Sequence, residues 1–290
     1  MKTGMIGLGA MGYFMALNLH RAGLLAGVWN RSRAKAEALA GETGITVAPD
    51  PAELARRCQV VITCVSADGD LLEVVEALLP GCQSGTVVVD TSTVSSDTAR
   101  QAAARLVAVG TGFVDAPVSG GVEGARQGTL AVMAGGEASH LELARPALEA
   151  IAGRIVHMGP TGAGQATKAV NQIMVAGIAQ GVTEALAFGR TMGLDLDKVI
   201  EVVGGGAAGN WFLDHRGPTM VRDSYSVGFK LALHHKDLTI CKHMAEARGG
   251  SLPVVEQTLP QYQRLMEQGH GDEDISALFR LKKELFPNQK

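Results

Sequence analysis

Short apolar runs alternate with amphipathic segments over roughly the first 160 residues of the chain. Runs such as VVITCV and VVVD lack polar alternation, which is typical of strands buried on both faces of a parallel sheet. Helical spacing between the runs predicts helices that include Met11–Ala22, Arg33–Ala40 and Asp70–Leu79. This alternation predicts an α/β domain of the Rossmann type, with a doubly wound, mainly parallel sheet. Its strands are predicted over Thr3–Leu8, Gly27–Trp29, Val60–Val65, Thr86–Val89, Phe113–Ala116, Leu130–Ala134 and Ile155–His157.

The pattern changes near Gly159–Gly162, and beyond it strand-like runs nearly disappear. Gln165–Met192 is one long helical pattern without proline, and the glycine-rich stretch 204–211 is expected to be a hinge or loop. We therefore predict two domains, a Rossmann domain over residues 1–162 and an all-helical domain over residues 163–290. Further helices are predicted over Leu196–Val203, Gly228–Ala247, Val254–Glu267 and Asp274–Leu285, with Asp272 or Asp274 as an N-cap.

Composition narrows the class of partner. The net charge is −3 and no basic run occurs, which disfavours nucleic acid. No stretch reaches the roughly 18 unbroken apolar residues of a membrane helix. The four cysteines show no metal-binding spacing, so we expect reduced thiols in a cytoplasmic protein.

The first predicted strand runs directly into a G-x-G-x-x-G motif, and a helix follows it. The motif alone is weak in a chain with 37 glycines, but this strand–turn–helix context is the one that dinucleotide binding requires. The glycines allow a tight turn, close approach of a pyrophosphate and close packing of helix on strand. We expect the helix N-terminus to bind the phosphates. The predicted cofactor site here comprises Gly7, Leu8, Gly9, Ala10, Met11 and Gly12.

The end of the second predicted strand bears on the choice of cofactor. An NAD site usually places Asp or Glu there to bind the ribose 2′-hydroxyl, whereas this chain has Asn30 followed by Arg31. The Arg31 guanidinium suits a 2′-phosphate, and Ser32 and Lys35 add a hydroxyl and a charge. A solvated basic loop is the alternative. The pattern favours NADP(H), with NAD(H) still possible.

Two later strand ends also point to the cofactor. Val65 and Ser66 end one predicted strand, and Thr93 follows the next. Ligands in this fold bind beyond the carboxyl ends of the strands, where small side chains do not block a nicotinamide ribose. Ordinary strand-end caps would look the same.

With these residues identified, the chain resembles the β-hydroxyacid dehydrogenase family nearly end to end. That family includes 3-hydroxyisobutyrate dehydrogenase, tartronate semialdehyde reductase and succinic semialdehyde reductases. The resemblance is carried by four ordered motifs, GLGAMG at 7–12, DAPVSGG at 115–121, GAGQATKAVNQ at 162–172 and HKDL at 235–238.

The resemblance implies a hydride transfer between NAD(P)(H) and a small β-hydroxyacid or semialdehyde, without a metal. It implies that Lys168 is the general acid or base, with Asn171 one helical turn away. To act as a base, a lysine must have its pKa lowered toward neutrality. The resemblance also assigns the substrate carboxylate to Ser119, Gly120 and Gly121, and a cofactor contact to Lys236.

Two alternatives stay open. One is reduction of imines, or oxidation of serine-like amino acids, on the same scaffold; imine reductases of this architecture typically lack the lysine. The other is a dinucleotide-binding module that has lost catalysis, of which loss of Lys168 would be the simplest sign. The long small-residue helix also predicts a homodimer or homotetramer.

Overall fold

The computed structural model describes residues 1–286 of the chain. Contacts divide it into two compact units, Met1–Lys168 and the part of the chain from Ala169 onward. The boundary proposed from sequence, between residues 162 and 163, lies six residues before this division. The helix that contains Lys168 runs through both units.

The first unit is built on an eight-stranded sheet. Five parallel strands have the order β2-β1-β3-β4-β5, so the strand order reverses beside β1. β7 pairs antiparallel with β5 and β6 and parallel with β8. The predicted doubly wound, mainly parallel sheet is confirmed. The strands are β1 (Thr3–Ile6), β2 (Leu25–Trp29), β3 (Val60–Thr63), β4 (Val87–Asp90), β5 (Gly112–Asp115), β6 (Val118–Ser119), β7 (Leu130–Gly136) and β8 (Ala152–Gly159).

Alternate residues of the parallel strands enter separate hydrophobic cores. Ile62 and Val89 belong to one core, whereas Val61 and Val88 belong to another. Because successive side chains point to opposite faces of a strand, both faces of the sheet are covered, which explains the uninterrupted apolar runs. The covering helices are α1 (Gly12–Arg21), α2 (Arg33–Thr43), α3 (Pro51–Arg57), α4 (Asp68–Leu78), α5 (Ser96–Val107), α6 (Gly121–Gln127) and α7 (Ala138–Glu149).

The second unit is helical and has its own hydrophobic core. It contains most of α8 and five further helices. The helices are α8 (Ala163–Thr191), α9 (Leu196–Gly204), α10 (Trp211–Val221), α11 (Leu231–Glu246), α12 (Pro253–Glu267) and α13 (Leu278–Glu284).

Two helix starts differ from the sequence prediction, and Asp274 explains both. The helix predicted from Gly228 begins at Leu231, because the amides of Gly228 and Phe229 donate to the Asp274 carboxylate at 3.0 and 2.9 Å. The helix predicted from Asp274 begins as a 3₁₀ turn, which Asp274 caps by accepting from the Ser276 amide.

The stretch 204–211 also differs in part from its prediction as a hinge or loop. Asn210 accepts a hydrogen bond from the Leu213 amide at 2.9 Å and thereby caps α10, which begins at Trp211.

We find no helix among residues 1–286 whose length and apolar character would let it span a membrane. The four cysteines are free thiols. The cytoplasmic location stays a prediction.

Candidate active site

The glycine turn after β1 depends on glycine at two positions for steric reasons. Gly7 has φ +90°, and a Cβ there would collide with the Cys64 carbonyl at the end of β3. A Cβ at Gly12 would collide with the Gly7 carbonyl, so α1 can start close to β1 only with glycine. A Cβ at Gly9 would meet no protein atom within 4 Å, which leaves the backbone at Gly9 approachable. The turn therefore has the shape of a phosphate cradle.

Among the described residues, no side chain caps the N-terminus of α1. Its N-cap is Met11, which makes no capping side-chain hydrogen bond, and its first turn contains no acidic residue. The first amides of a helix lack intrahelical partners and carry a positive partial charge. A pyrophosphate over Gly9 would satisfy them, so the residues present fit a dinucleotide.

Asn30 ties the end of β2 to the glycine turn. Its Oδ1 accepts from the Leu8 amide at 2.8 Å, and its Nδ2 donates to the Ser32 carbonyl at 2.9 Å. The structure thus uses this amide to shape the turn. Arg31, Ser32 and Lys35 follow it on an exposed surface at the start of α2. The Arg31 guanidinium lies 2.8 Å from the carboxylate of Asp70, a partner that the sequence did not indicate.

The loops after β3 and β4 are joined through Ser92. The Val65 amide donates to Ser92 Oγ at 2.8 Å, and Ser92 Oγ donates to Asp90 Oδ1 at 2.6 Å. Thr63 Oγ1 donates to the same carboxylate oxygen at 2.7 Å. Ser66 is exposed beyond this junction. Val65, Ser66 and Thr93 thus lie on loops that a buried hydrogen-bond network connects.

Gln165, near the start of α8, holds the backbone on both sides of Thr93. Its Oε1 accepts from the Val94 amide at 3.2 Å, and its Nε2 donates to the Ser92 carbonyl at 2.9 Å. Gln165 is buried and was not predicted as a site residue. Its place in the GAGQATKAVNQ motif was the signal that could have identified it.

Asp115, at the end of β5, fixes the start of α8. Its two carboxylate oxygens accept from the amides of Gly162 at 2.7 Å and Gln165 at 2.9 Å. Gly164 allows this approach, because a Cβ there would collide with the carbonyl of Met133. Burial raises the pKa of Asp115, and the backbone hydrogen bonds oppose that rise.

Lys168 lies one turn further along α8 and is 7% exposed. Its Nζ donates to the Val118 carbonyl at 2.9 Å, in the residue directly before Ser119. The structure therefore brings the predicted proton-transfer lysine next to the predicted carboxylate loop. This burial is inconsistent with an ordinary surface lysine. The lowered pKa that a catalytic base requires stays a prediction.

The loop after Val118 is a strand-to-helix turn. Ser119 ends β6, Gly120 has φ +128° and Gly121, with φ +60°, begins α6. These backbone angles favour glycine, so the two glycines have a conformational reason to be there. Binding of a carboxylate by Ser119, Gly120 and Gly121 stays a prediction.

In the second unit, a continuous polar chain connects Asn171 to Lys236. Asn171 Nδ2 donates to Gln172 Oε1 at 2.8 Å, and Gln172 Nε2 donates to Asp237 Oδ2 at 2.7 Å. The other Asp237 oxygen lies 2.8 Å from Lys236 Nζ. Gln172 and Asp237 are buried, so they fix the two predicted site residues relative to each other. Before the structure, Asp237 was evident only as part of the HKDL motif and Gln172 only as the last residue of GAGQATKAVNQ.

Metal binding has no candidate site in the part of the chain that the structure describes. We find no group of three or more His, Cys, Asp or Glu side chains placed to hold an ion there. The metal-free reaction stays a prediction.

The Rossmann sheet, the phosphate cradle and the buried lysine define the class of nicotinamide-dependent oxidoreductases. The two sequence families that the chain matches agree with this class. Residues 2–159 match the NAD binding domain of 6-phosphogluconate dehydrogenase. Residues 162–282 match a family described as NAD-binding of NADP-dependent 3-hydroxyisobutyrate dehydrogenase.

Individual relatives span nearly the whole chain. The NAD-dependent L-serine dehydrogenase of Pseudomonas aeruginosa is 35% identical, over 95% of this chain and 96% of that protein. The 2-hydroxy-3-oxopropionate reductase of Escherichia coli is 33% identical, over 100% of this chain and 99% of that protein. The solved structure of Mycobacterium tuberculosis 3-hydroxyisobutyrate dehydrogenase with L-serine has a TM-score of 0.88 and 32% identity, and the match covers 97% of this chain and 98% of that one.

The chain belongs to the β-hydroxyacid dehydrogenase family. It is an NAD(P)-dependent hydroxyacid dehydrogenase, and its cofactor is a nicotinamide dinucleotide. The resemblance seen in the four sequence motifs is confirmed.

Proposed function

We propose that the protein transfers a hydride between NADP(H) and a small β-hydroxyacid or the corresponding semialdehyde, with Lys168 as the general acid and base. The observation that carries this proposal is the hydrogen bond of the buried Lys168 Nζ to the Val118 carbonyl, beside Ser119. A substrate whose carboxylate lies on Ser119–Gly121 has its β-oxygen a few bonds away, within reach of a side chain anchored at Val118.

Proton transfer is the part of the reaction that this chain must supply. The bound cofactor donates or accepts the hydride. In reduction, the Lys168 ammonium gives a proton to the carbonyl oxygen of the substrate as that oxygen gains negative charge. In oxidation, the neutral amine takes the hydroxyl proton. Such transfer contributes about 10²–10⁴-fold to the rate. Asn171 follows Lys168 by three residues on α8 and is proposed to orient the same oxygen.

The preference for NADP(H) is proposed on the residues at the end of β2. Arg31, Ser32 and Lys35 are all exposed there, and no acidic residue precedes Arg31 in the loop after β2. The family matched by the second half of the chain is described as NADP-dependent, although the Pseudomonas relative is named for NAD.

A second candidate substrate is L-serine. Serine is itself a β-hydroxyacid, and the Pseudomonas relative is named for it. The matched mycobacterial structure also contains it. The chemistry of Lys168 would be the same, so the two candidates differ only in the group on the α-carbon.

We also propose that two copies of the chain associate through α8. Five large apolar side chains on α8 and directly after it are 38 to 63% exposed, those of Val170, Met174, Ile178, Phe188 and Met192. Together with the exposed small residues Gly181 and Ala185, they form a stripe with spacings of three and four residues along the helix. No charged residue belongs to this stripe. Large side chains lie symmetrically about Gly181, with Met174 seven residues before it and Phe188 seven residues after it. An antiparallel pair of identical helices that crosses near Gly181 places Met174 against the partner's Phe188, which is the self-complementarity that a twofold contact requires.

The proposed function is tested by a substrate panel measured with both cofactors. Nicotinamide absorbance is followed with glyoxylate, succinic semialdehyde, tartronate semialdehyde, 3-hydroxyisobutyrate and L-serine. We expect at least one β-hydroxyacid or semialdehyde to be turned over, with a higher kcat/KM with NADPH or NADP⁺ than with the unphosphorylated cofactor. Serine as the best substrate would favour the second candidate. Absence of turnover with every compound would contradict both.

A further inference from the structure

The ion pair between Arg31 and Asp70 joins the loop after β2 to the first turn of α4, at the predicted site of the ribose 2′-phosphate. Arg31 follows β2, and Asp70 lies in the first turn of α4, after β3. The guanidinium and the carboxylate are 2.8 Å apart, and their side chains are 77% and 23% exposed. Arg31 is therefore paired with a protein carboxylate.

The position of this pair follows from the strand order. β2 and β3 lie on either side of β1, and the glycine turn leaves the carboxyl end of β1. A contact between the segments that follow β2 and β3 therefore spans the strand end from which the phosphate cradle begins. Dinucleotides bind at this edge of such a sheet.

The turn that carries Asp70 is itself fixed. Asp68, two residues earlier, accepts hydrogen bonds from the Ser95 amide at 2.9 Å and from Thr98 Oγ1 at 2.5 Å. The Asp70 carboxylate is therefore presented from an anchored helix start, while the long Arg31 side chain is mostly in solvent. Arg31 is the partner that must reorient when a ligand competes for it.

We propose that Asp70 is a specificity-determining residue that limits the preference of this site for NADP(H) over NAD(H) by competing for Arg31. The proposal rests on the proposed role of Arg31 in binding the 2′-phosphate. NADP(H) carries this phosphate, which must either draw the Arg31 guanidinium away from Asp70 or share the guanidinium with the Asp70 carboxylate. NAD(H) lacks the phosphate and leaves the pair intact.

The sign of the effect follows from charge. Asp70 neutralises Arg31, while the neighbouring Arg33 pairs with Glu37, and the negative charge of Asp70 stays close to the dianionic phosphate. Removing that charge, while keeping the shape of the side chain, should strengthen binding of NADP(H) by about three- to tenfold in an exposed, water-screened site. If Asp70 served only to orient Arg31, its removal would weaken binding of NADP(H) instead.

The test is a double-mutant cycle on cofactor affinity. Dissociation constants of NADPH and NADH are measured by titration for the wild type, Asp70→Asn, Arg31→Ala and the double variant. We expect Asp70→Asn to lower the Kd of NADPH about three- to tenfold and to change that of NADH less than about twofold. In the Arg31→Ala background the effect of Asp70→Asn should fall below about twofold.

A matched control lies on the same helix. Glu76, in the last turn of α4, pairs with Arg105 at 2.7 Å, also across two elements. Glu76→Gln removes the same charge from the far end of α4 and should leave both affinities unchanged.

The outcomes separate this proposal from the proposed function. Weaker binding of NADPH by Asp70→Asn, or an equal change for both cofactors, would overturn the competition by Asp70 while the assignment of Arg31 stands. An Arg31→Ala variant that binds NADPH as the wild type does would overturn both.

Discussion

Asp90 and Asp115 are paired in register at the carboxyl ends of β4 and β5, so two carboxyl groups are buried side by side. Asp115 has both oxygens bonded to backbone amides, whereas Asp90 Oδ2 has no hydrogen-bond partner among the described residues. Burial raises the pKa of Asp90 to about 7, the hydrogen bonds from Ser92 and Thr63 oppose the rise, and the charge of Asp115 adds to it. Asp90 therefore keeps its proton to a much higher pH than an exposed aspartate does.

This raised pKa gives a stability prediction with a definite sign. The unfolded chain loses the Asp90 proton near the usual aspartate pKa, and the folded chain loses it near pH 7. Protonated Asp90 makes its full contribution to folding stability below the pKa that it has in the unfolded chain. This contribution is lost as the pH rises through 7. The Asn side chain of Asp90→Asn cannot ionise. As the pH is raised from 5 to 9, the free energy of unfolding of this variant should therefore increase by roughly 2–3 kcal/mol relative to that of wild type.

Urea unfolding of both proteins at pH 5, 7 and 9 measures this difference. Asp97→Asn, at an exposed position in the first turn of α5, serves as the control. A difference between Asp90→Asn and wild type that is constant across this pH range would contradict the raised pKa.

At the residue scale, the sequence predicted those residues whose role is local. Gly7 and Gly12 serve a turn that the motif itself defines, and Arg31 was evident from the missing acid at the end of β2. Asp70 and Gln165 were not predicted, because their partners are 39 and 71 or more residues away in the chain. Nothing local indicates that such a carboxylate or amide will meet its partner until the strand order is known.

At the scale of elements, α8 was the helix best predicted by its sequence pattern. Its 29 residues begin only two before the predicted range, where Asp115 caps the first turn. Short helices such as α3 and α6, of seven residues each, gave no comparable pattern, because fewer than two turns cannot establish a helical period. The late starts of the helices near Gly228 and Asp274 depend on one carboxylate that serves both segments, which no local pattern shows.

The exposed stripe of α8 gives a prediction of association. Met174→Glu places a charge opposite the partner's Phe188 in the proposed antiparallel pair, and burying an unpaired charge is costly. We expect wild type to elute as a dimer or a higher even oligomer at micromolar concentration. In Met174→Glu the dissociation constant of this contact should rise by at least about tenfold. Light scattering coupled to size-exclusion chromatography measures the mass.

The control for this prediction is Arg190→Glu. Arg190 is exposed on α8 and lies outside the stripe, roughly on the opposite side of the helix from Val170. It should keep the wild-type mass. A monomeric wild type, or a Met174→Glu variant with unchanged mass, would contradict association through this stripe.

At the scale of the whole molecule, the two-part organisation and the family were evident before any coordinates. Near residue 160 the alternation of short apolar runs with helical segments gives way to helical periodicity alone, which marks the change from the sheet unit to the helical unit. The four motifs span both units. The position of Lys168 could not be derived in this way. That its Nζ reaches the Val118 carbonyl depends on Gly164 and Asp115 bringing the start of α8 against β5 and β7.

The central claim is that Lys168 transfers the proton in a hydride-transfer reaction, and turnover by Lys168→Ala tests it most directly. The neighbouring change Thr167→Ala is the control, because the Thr167 hydroxyl donates within α8 itself, to the Ala163 carbonyl. With the best substrate of the panel and saturating cofactor, we predict that kcat of Lys168→Ala falls by about 100-fold or more, while the Kd of NADPH changes less than about threefold. Turnover by Lys168→Ala close to that of wild type and Thr167→Ala would contradict the account.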